Sequence, residues 1–437
     1  MNISISKVRW LLPIVIGVLG LAAIACGSDE ETPVPTRGPI VTPTPTPSGS
    51  SAAVSPSTGP PTAVPLPAQQ PPQALVPALT PLDSDIGFAP ELVGITDWIN
   101  TEPLTLQSVR GKALLVQFWS YSSDMWLRTL PQFNEWHAKY GPHGLVVLGV
   151  HSPEYQFEKD RANLDAAIAR HGVNYPIAID NNLESWKVFS GFVRPTMYIV
   201  DKDGKLNGIQ IGDGGYQEIE TAIREMLAAT GADLSAVPIS DAPDPVLVEG
   251  AIDENSDTSL TRRLYTGINV NYPAITAVMT GDTRAPPPYI QLRDYYQIQD
   301  SNNEYEDSPG EHINQYLYMN GLWYNNVESL DHQVDSPDYD DYLAFVFFAK
   351  GVNVVMGNKD EPREVRITMD GGPLAPDQAG KDIRFDADGN SYVLIDHPDL
   401  YQLVELEDFG THELQLRANK PGISVYSFSF HAYENFP

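Results

Sequence analysis

Between residues 88 and 231 the chain alternates uninterrupted apolar runs with helical repeats. Ala113–Phe118 and Leu145–His151 (LVVLGVH) are short, almost wholly apolar and bounded by polar turns, the pattern of strands buried on both faces. Ser123–Tyr140 between them predicts a long helix with Pro131 inside it, which leaves the carbonyl of Leu127 without its helical donor. Asp160–His171 predicts a second helix, with Leu164, Ala167 and Ile168 on one face and Gly172 as its stop. Tyr175–Ile179 reads as a short extended segment and Leu183–Phe189 as a short helix. Pro195–Val200 and Leu206–Ile211 then read as a hairpin closed by Asp201–Gly204. Tyr216–Thr230 is a last helix, with Ile219, Ile223, Met226 and Leu227 facing one way, and Trp98–Ile99 with Leu104–Leu106 predict a small leading hairpin.

After Gly231 the texture changes. Val237–Pro245 is a Pro/Asp linker within a boundary region over 232–250, and strands dominate from 251 to 437. Tyr342–Phe348, Val352–Met356, Glu364–Met369, Ser391–Ile395, Leu400–Glu405, Thr411–Ala418 and Ile423–Phe430 are the extended segments. Alternation in His412–Arg417 and in Val425–Phe430 buries one face of each, which predicts an antiparallel, all-β sandwich.

The N-terminus differs from both. Lys7 and Arg9 precede a mostly apolar run to Ala25, a signal-peptide layout over residues 1–26 that ends in small residues before Cys26. That ending is similar to a bacterial lipobox, which implies lipidation of Cys26, a membrane anchor and an extracytoplasmic location; an uncleaved anchor helix is the alternative. Residues 27–87 are rich in Pro, Thr, Ser and Ala, with TPTPTP at Thr42–Pro47, and read as a disordered stalk, of which Glu31–Leu82 alone would reach on the order of 150 Å if fully extended. The formal net charge is -30, so a nucleic-acid partner is not expected. Cys26 is the single cysteine, so lipidation would leave the mature chain without a free thiol.

Strand, aromatic turn, helix start and mid-helix proline, in the order found over Leu114–Pro131, form the active-site unit of a thioredoxin-like fold, and the β-α-β-α-β-β-α order over 88–231 agrees with it. FWSYSSDMWLRTLP, GVHSPEYQFEKD, YPIAIDN and GDGGYQEIE resemble the redoxin domain of DipZ-type proteins, which belong with the TlpA/ResA thiol-disulfide oxidoreductases. The resemblance implies a C-x-x-C pair at the helix start, where the helix dipole stabilises a thiolate. Ser123 and Trp126 stand at those two positions, so the implied oxidoreductase activity lacks its sulfur and the catalytic set is empty. Arg194–Pro195 stands where the family has a cis-proline that presents backbone to an extended peptide. Trp119, Tyr121, Ser123, Trp126, Arg194 and Pro195 are therefore expected to line a binding groove for envelope proteins or peptides. Ser123 with His151 offers the types of a nucleophile and a base, but no G-x-S-x-G turn surrounds the serine, and an N-cap role beside Asp124 already accounts for it.

Gly321–Trp323, AFVFFAKGVNVVMG, VRITMDGGPL, LYQLVELEDFGTHELQL and PGISVYSFSF resemble the C-terminal domain of the same family, implying a jelly-roll-like, carbohydrate-binding-module-like sandwich. Tyr316, Tyr318, Trp323 and Tyr324 are candidate sugar-stacking residues, with Trp323 the leading glycan contact. From Ala232 onward 35 acidic residues face 12 basic ones, usually the mark of a solvated surface. No cofactor is expected, with calcium as the sharper alternative at Asp338, Asp340 and Asp341 or at Asp386, Asp388 and Asn390. Together the chain reads as an exported, membrane-anchored, thioredoxin-like binding or scaffolding protein without thiol chemistry. The alternatives are a residual or partner-assisted redox role and glycan binding through the sandwich.

Overall fold

A computed structural model describes residues 80–81, 87–252, 259–281, 287–290, 292–296, 300–307 and 310–434. Cys26, the signal segment and nearly all of the stalk lie outside the described residues.

The first half is a central mixed sheet with helices packed against it. Its elements run β1 (Asp97–Ile99), β2 (Ala113–Trp119), α1 (Asp124–Tyr140), β3 (Leu145–His151), α2 (Arg161–His171), β4 (Ile177–Ile179), α3 (Glu184–Val188), β5 (Thr196–Val200), β6 (Leu206–Ile211) and α4 (Tyr216–Ala229). Spatial order is Thr80–Pro81, β6, β5, β2, β3, β4, β1, with β2–β3 and β3–β4 parallel and the other pairs antiparallel. β2 and β3 sit in the middle and are buried on both faces, as their apolar runs require. On one side they meet Phe133, Trp136, Leu164, Ile219 and Ile223 of the long helices, and on the other Trp186 and Phe189 beside α3. Asp160 caps α2 by accepting from the N–H groups of Ala162 and Asn163. The order is that of a thioredoxin-like fold. The predicted leading hairpin is absent: β1 pairs with β4 across the sheet edge, and Leu104–Leu106 form no strand.

Among the described residues the second half is antiparallel and all-β apart from one helix, α5 (Ile268–Thr280), and a 3-10 turn. Its main strands are β7 (Tyr318–Asn325), β8 (Asp341–Asn358), β9 (Arg363–Met369), β10 (Ser391–Ile395), β11 (Asp399–Ala418) and β12 (Ile423–His431). Two predicted pairs of strands are each one long bent strand, Tyr342–Phe348 with Val352–Met356 in β8 and Leu400–Glu405 with Thr411–Ala418 in β11. Register shifts between Ala349 and Gly351 and between Val352 and Asn353 bend the β8–β11 ladder without breaking it. Gly351 is needed at that bend, because a Cβ there would lie 1.8 Å from Nε2 of His431. Phe345, Phe347, Trp323, Ile367 and Phe428 fill the core. α5 falls where the sequence reading found only linker and strands, since its apolar residues lack a clean one-face repeat.

Candidate functional site

β2 delivers Trp119 to the end of the sheet, and residues 120–123 turn the chain into α1. The turn is tied down by Glu158, whose buried carboxylate accepts from Ser120 Oγ (2.5 Å), Ser122 Oγ (2.7 Å) and the N–H groups of Ser122, Glu154 and Tyr155. Ser123 is the N-cap: its Oγ accepts from the Trp126 N–H at 3.4 Å and donates to the carbonyl of Arg194 at 3.3 Å. The hydroxyl thus links the helix start to the loop that ends in the cis Arg194–Pro195 bond.

Trp126 occupies the second expected sulfur position and lies wholly inside. Its indole stacks on Trp119 with centroids 4.2 Å apart, and its Nε1 donates to Tyr175 Oη at 3.4 Å. Gly149 on β3 makes room for this pair, since a Cβ there would lie 2.6 Å from Trp119 Nε1. Tyr121 lies nearly parallel to His151 at 5.8 Å, and Trp119 meets His151 edge-on at 5.0 Å. Burial, followed by the nearby Arg194 charge, pushes the His151 imidazole down to about 3, so it is neutral at physiological pH. Burial pushes the Tyr121 phenol far above its usual range, with the Glu158 charge adding to it.

What closes this end of the fold is the sandwich. Tyr155 Oη donates to Ser427 Oγ on β12 at 2.7 Å, and Tyr155, Val355 and Leu400 form an apolar cluster with Leu127, Phe157 and Tyr426. Arg263 pairs with Glu154 at 3.3 Å, and Tyr265 Oη donates to the same carboxylate at 3.2 Å. The guanidinium of Arg170, at the end of α2, pairs with buried Asp399 of β11, and His171 Nε2 lies 3.7 Å from that carboxylate. Although burial opposes it, the two neighbouring histidines and Arg170 hold the Asp399 carboxyl well below its usual range. In the first turns of α1, Arg128 bridges Asp124 (3.2 Å) and Asp213 (2.5 Å) beneath the ring of Tyr433, 4.9 Å away. Burial alone would raise Asp124, but the Arg128 and Arg263 charges outweigh it and keep its carboxyl low.

The expected groove is corrected by this packing. Trp119, Tyr121, Ser123 and Trp126 are all 0% exposed, and Pro195 is buried beside them. Arg194 turns back, donating to Ser152 O at 2.6 Å and lying 4.2 Å from the Trp186 ring. The aromatics therefore form a core, because a second domain sits on the surface where a groove would open. Trp323 is corrected likewise: it is 1% exposed, and its Nε1 donates to Asn320 O at 2.8 Å, so it cannot stack on a sugar. Tyr316 is buried, whereas Tyr318 and Tyr324 are partly exposed. The two acidic clusters do not converge as ligand sets. Asp341 points inward to His332 Nε2 at 2.9 Å, and Asp386 accepts from the N–H groups of Asp388 and Asn390 in its own turn. Among the described residues no three His, Cys, Asp or Glu side chains are grouped to hold a metal ion. Glu158, Arg128, Arg263 and Asp399 were missed in the sequence, where nothing separates a buried charge from the many solvated ones.

Two family models match the chain, "AhpC/TSA family" over residues 90–209 and "Thioredoxin like C-terminal domain" over residues 292–430. The "Protein DipZ" of Mycobacterium bovis is 29% identical over 351 residues, covering 79% of this chain and 43% of that protein. The chain thus spans less than half the length of that relative. The "Thiol-disulfide oxidoreductase YkuV" of Bacillus subtilis is 32% identical over 141 residues, 32% of this chain and 95% of that protein. The "Thiol-disulfide oxidoreductase ResA" of Bacillus thuringiensis is 23% identical over 138 residues, covering 32% of this chain and 76% of that protein.

Proposed function

We propose, from the premise that the chain belongs to the thioredoxin-like thiol-disulfide oxidoreductase family, that it is a member which has given up thiol chemistry and serves as a binding or scaffolding module. We place it outside the cytoplasm, held at the membrane by a lipid on Cys26. The observation that carries this reading is the filled and covered helix start. Ser123 and Trp126 stand at both sulfur positions, each 0% exposed, and residues of β11 and β12 pack on the same end of the fold. A serine hydroxyl does not ionise near neutral pH and forms no mixed disulfide, and a stacked indole leaves no room for a client's sulfur. Reduction of insulin by dithiothreitol, and consumption of peroxide, should proceed no faster with the protein than without it. Turnover clearly above background would overturn the reading.

A second reading, glycan binding through the sandwich, is favoured by the outward face of the sheet. Asn320, Tyr342, Arg417, Arg366 and Tyr392 stand directly opposite one another on five successive strands, all partly exposed. A row of planar and hydrogen-bonding side chains of this kind suits an extended sugar polymer. On a glycan array, Tyr342→Ala should abolish any binding seen for the wild type and Trp323→Ala should not. Absence of binding by the wild type would leave the first reading alone.

A further inference from the structure

The indoles of Trp119 and Trp126 lie only 14° from parallel with centroids 4.2 Å apart, and both are wholly buried. Two π-systems this close share more than packing: when one loses an electron, the positive charge spreads over both rings. A series of ring contacts leads outward from the pair. Trp119 meets His151 at 5.0 Å, and His151 lies parallel to Tyr121 at 5.8 Å. Tyr121 meets Phe157 at 5.9 Å, and Phe157 meets Tyr426 of β12, which is partly exposed, at 4.9 Å. Ring-to-ring steps of this length carry an electron by tunnelling. The surroundings decide where a missing electron comes to rest. A tyrosine is oxidised readily only when its phenol proton can leave, and burial raises Tyr121 and Tyr175 far above the usual phenol range. Among the described residues the Tyr121 hydroxyl has no hydrogen-bond partner, so no base stands ready for its proton. An indole needs no proton loss, and Trp119 Nε1 likewise meets no acceptor among the described residues. The Glu158 carboxylate, buried on Ser120 next in sequence to Trp119, supplies the negative charge that a buried cation needs. His151 is neutral at physiological pH and adds no repulsion.

We propose that the Trp119–Trp126 pair is a one-electron trap, which takes up oxidising equivalents that reach Tyr426 from outside the protein. The oxidant is a radical of the organic peroxyl class. It takes one electron and, with a proton from water, becomes a hydroperoxide. That electron leaves the pair along the series of rings, so one positive charge is shared by two indoles that keep both N–H protons. A soluble phenol then returns one electron to the pair and releases its own proton to water, which closes the balance. The activity needs no sulfur, and it sits where the thioredoxin-like frame would otherwise carry its thiols.

The test is flash photolysis of the full-length chain in mild detergent, with photogenerated tris(bipyridine)ruthenium(III) as the oxidant. The wild type should give an indole radical with a near-infrared charge-resonance band, which a single oxidised indole lacks. Trp126→Phe and, separately, Trp119→Phe keep a ring in the stack. Each should abolish the band and shorten the life of the radical at least about tenfold. Trp98→Phe, at a partly exposed position, should leave both unchanged. Tyr121→Leu interrupts the series of rings and should slow arrival of the charge at the pair without changing the band. Far-UV circular dichroism matching the wild type shows that each variant is folded. A wild type without the band overturns the proposal, as does a band that survives in both Phe variants. Arrival as fast in Tyr121→Leu as in the wild type also overturns it, by removing the route from Tyr426.

Discussion

At the start of α1, three aromatic side chains that read as the walls of a groove are sealed in a core, whereas at the end of α5 Val278 and Met279 stand open to solvent. Both stretches carry large apolar side chains at a helix terminus, so that feature alone does not distinguish them. What differs is the neighbour. α1 begins at the end of the sheet where Tyr155, Arg170 and Glu154 engage Ser427, Asp399 and Arg263 of the sandwich, whereas α5 starts just past the seam residue Tyr265 and its far end, with Val278 and Met279, stands in solvent. Exposure in this chain is decided by which surface the second domain covers.

The contrast is sharpest for paired substitutions. Trp126→Ala removes a fully buried indole from its stack on Trp119 and should cost about 3–5 kcal/mol of unfolding free energy, measured by urea titration. Met279→Asp on α5 should stay within about 0.5 kcal/mol of the wild type in the same titration, its site being exposed. Equal costs at the two positions would mean that the burial pattern is wrong. Arg128→Met should follow at about 3 kcal/mol, because it leaves the carboxylates of Asp124 and Asp213 buried without their shared cation. A neutral outcome would show that both carboxylates reach water, and hence that the seam is open.

Acid gives a graded version of the same comparison. The buried His151 imidazole is pushed down to about 3, while the unfolded chain binds that proton near the ordinary histidine value of about 6.5. The unfolded state therefore takes up the proton first as pH falls. The stability that His151 contributes is complete above about pH 6.5 and drains away as pH drops toward the folded value. Urea midpoints at pH 7 and pH 4.5 should lie further apart in the wild type than in His151→Phe. Identical gaps would show that His151 is solvated.

The centre of the first half's sheet was legible, because β2 and β3 are unbroken apolar runs and the helices beside them carry one-face repeats, but its edge was not, since β1 pairs with β4 and Leu104–Leu106 form no strand. Leu145–His151 and Leu206–Ile211 match their predicted bounds, and Ser123 is the N-cap that its position beside Asp124 suggests. Turns in the sandwich were over-read: glycines such as Gly351 mark a bulge in a continuous strand as readily as an end. The site was half legible. Sequence located the helix start and its missing sulfurs, but periodicity within one domain carries no information about a face that another domain will cover. Trp323 misled for a related reason, since strand alternation fixes that neighbours such as Leu322 and Trp323 point opposite ways without saying which way is in.

The most direct measurement is site-resolved thiol labelling of the folded chain at neutral pH. Ser123→Cys and, in a separate protein, Thr411→Cys at an exposed position would each be treated with a small maleimide and mapped by mass spectrometry. A sealed helix start predicts that the thiol at position 123 stays unmodified while the one at 411 is consumed. Labelling of both at the same rate would show that the end of the fold is open, and would contradict the account.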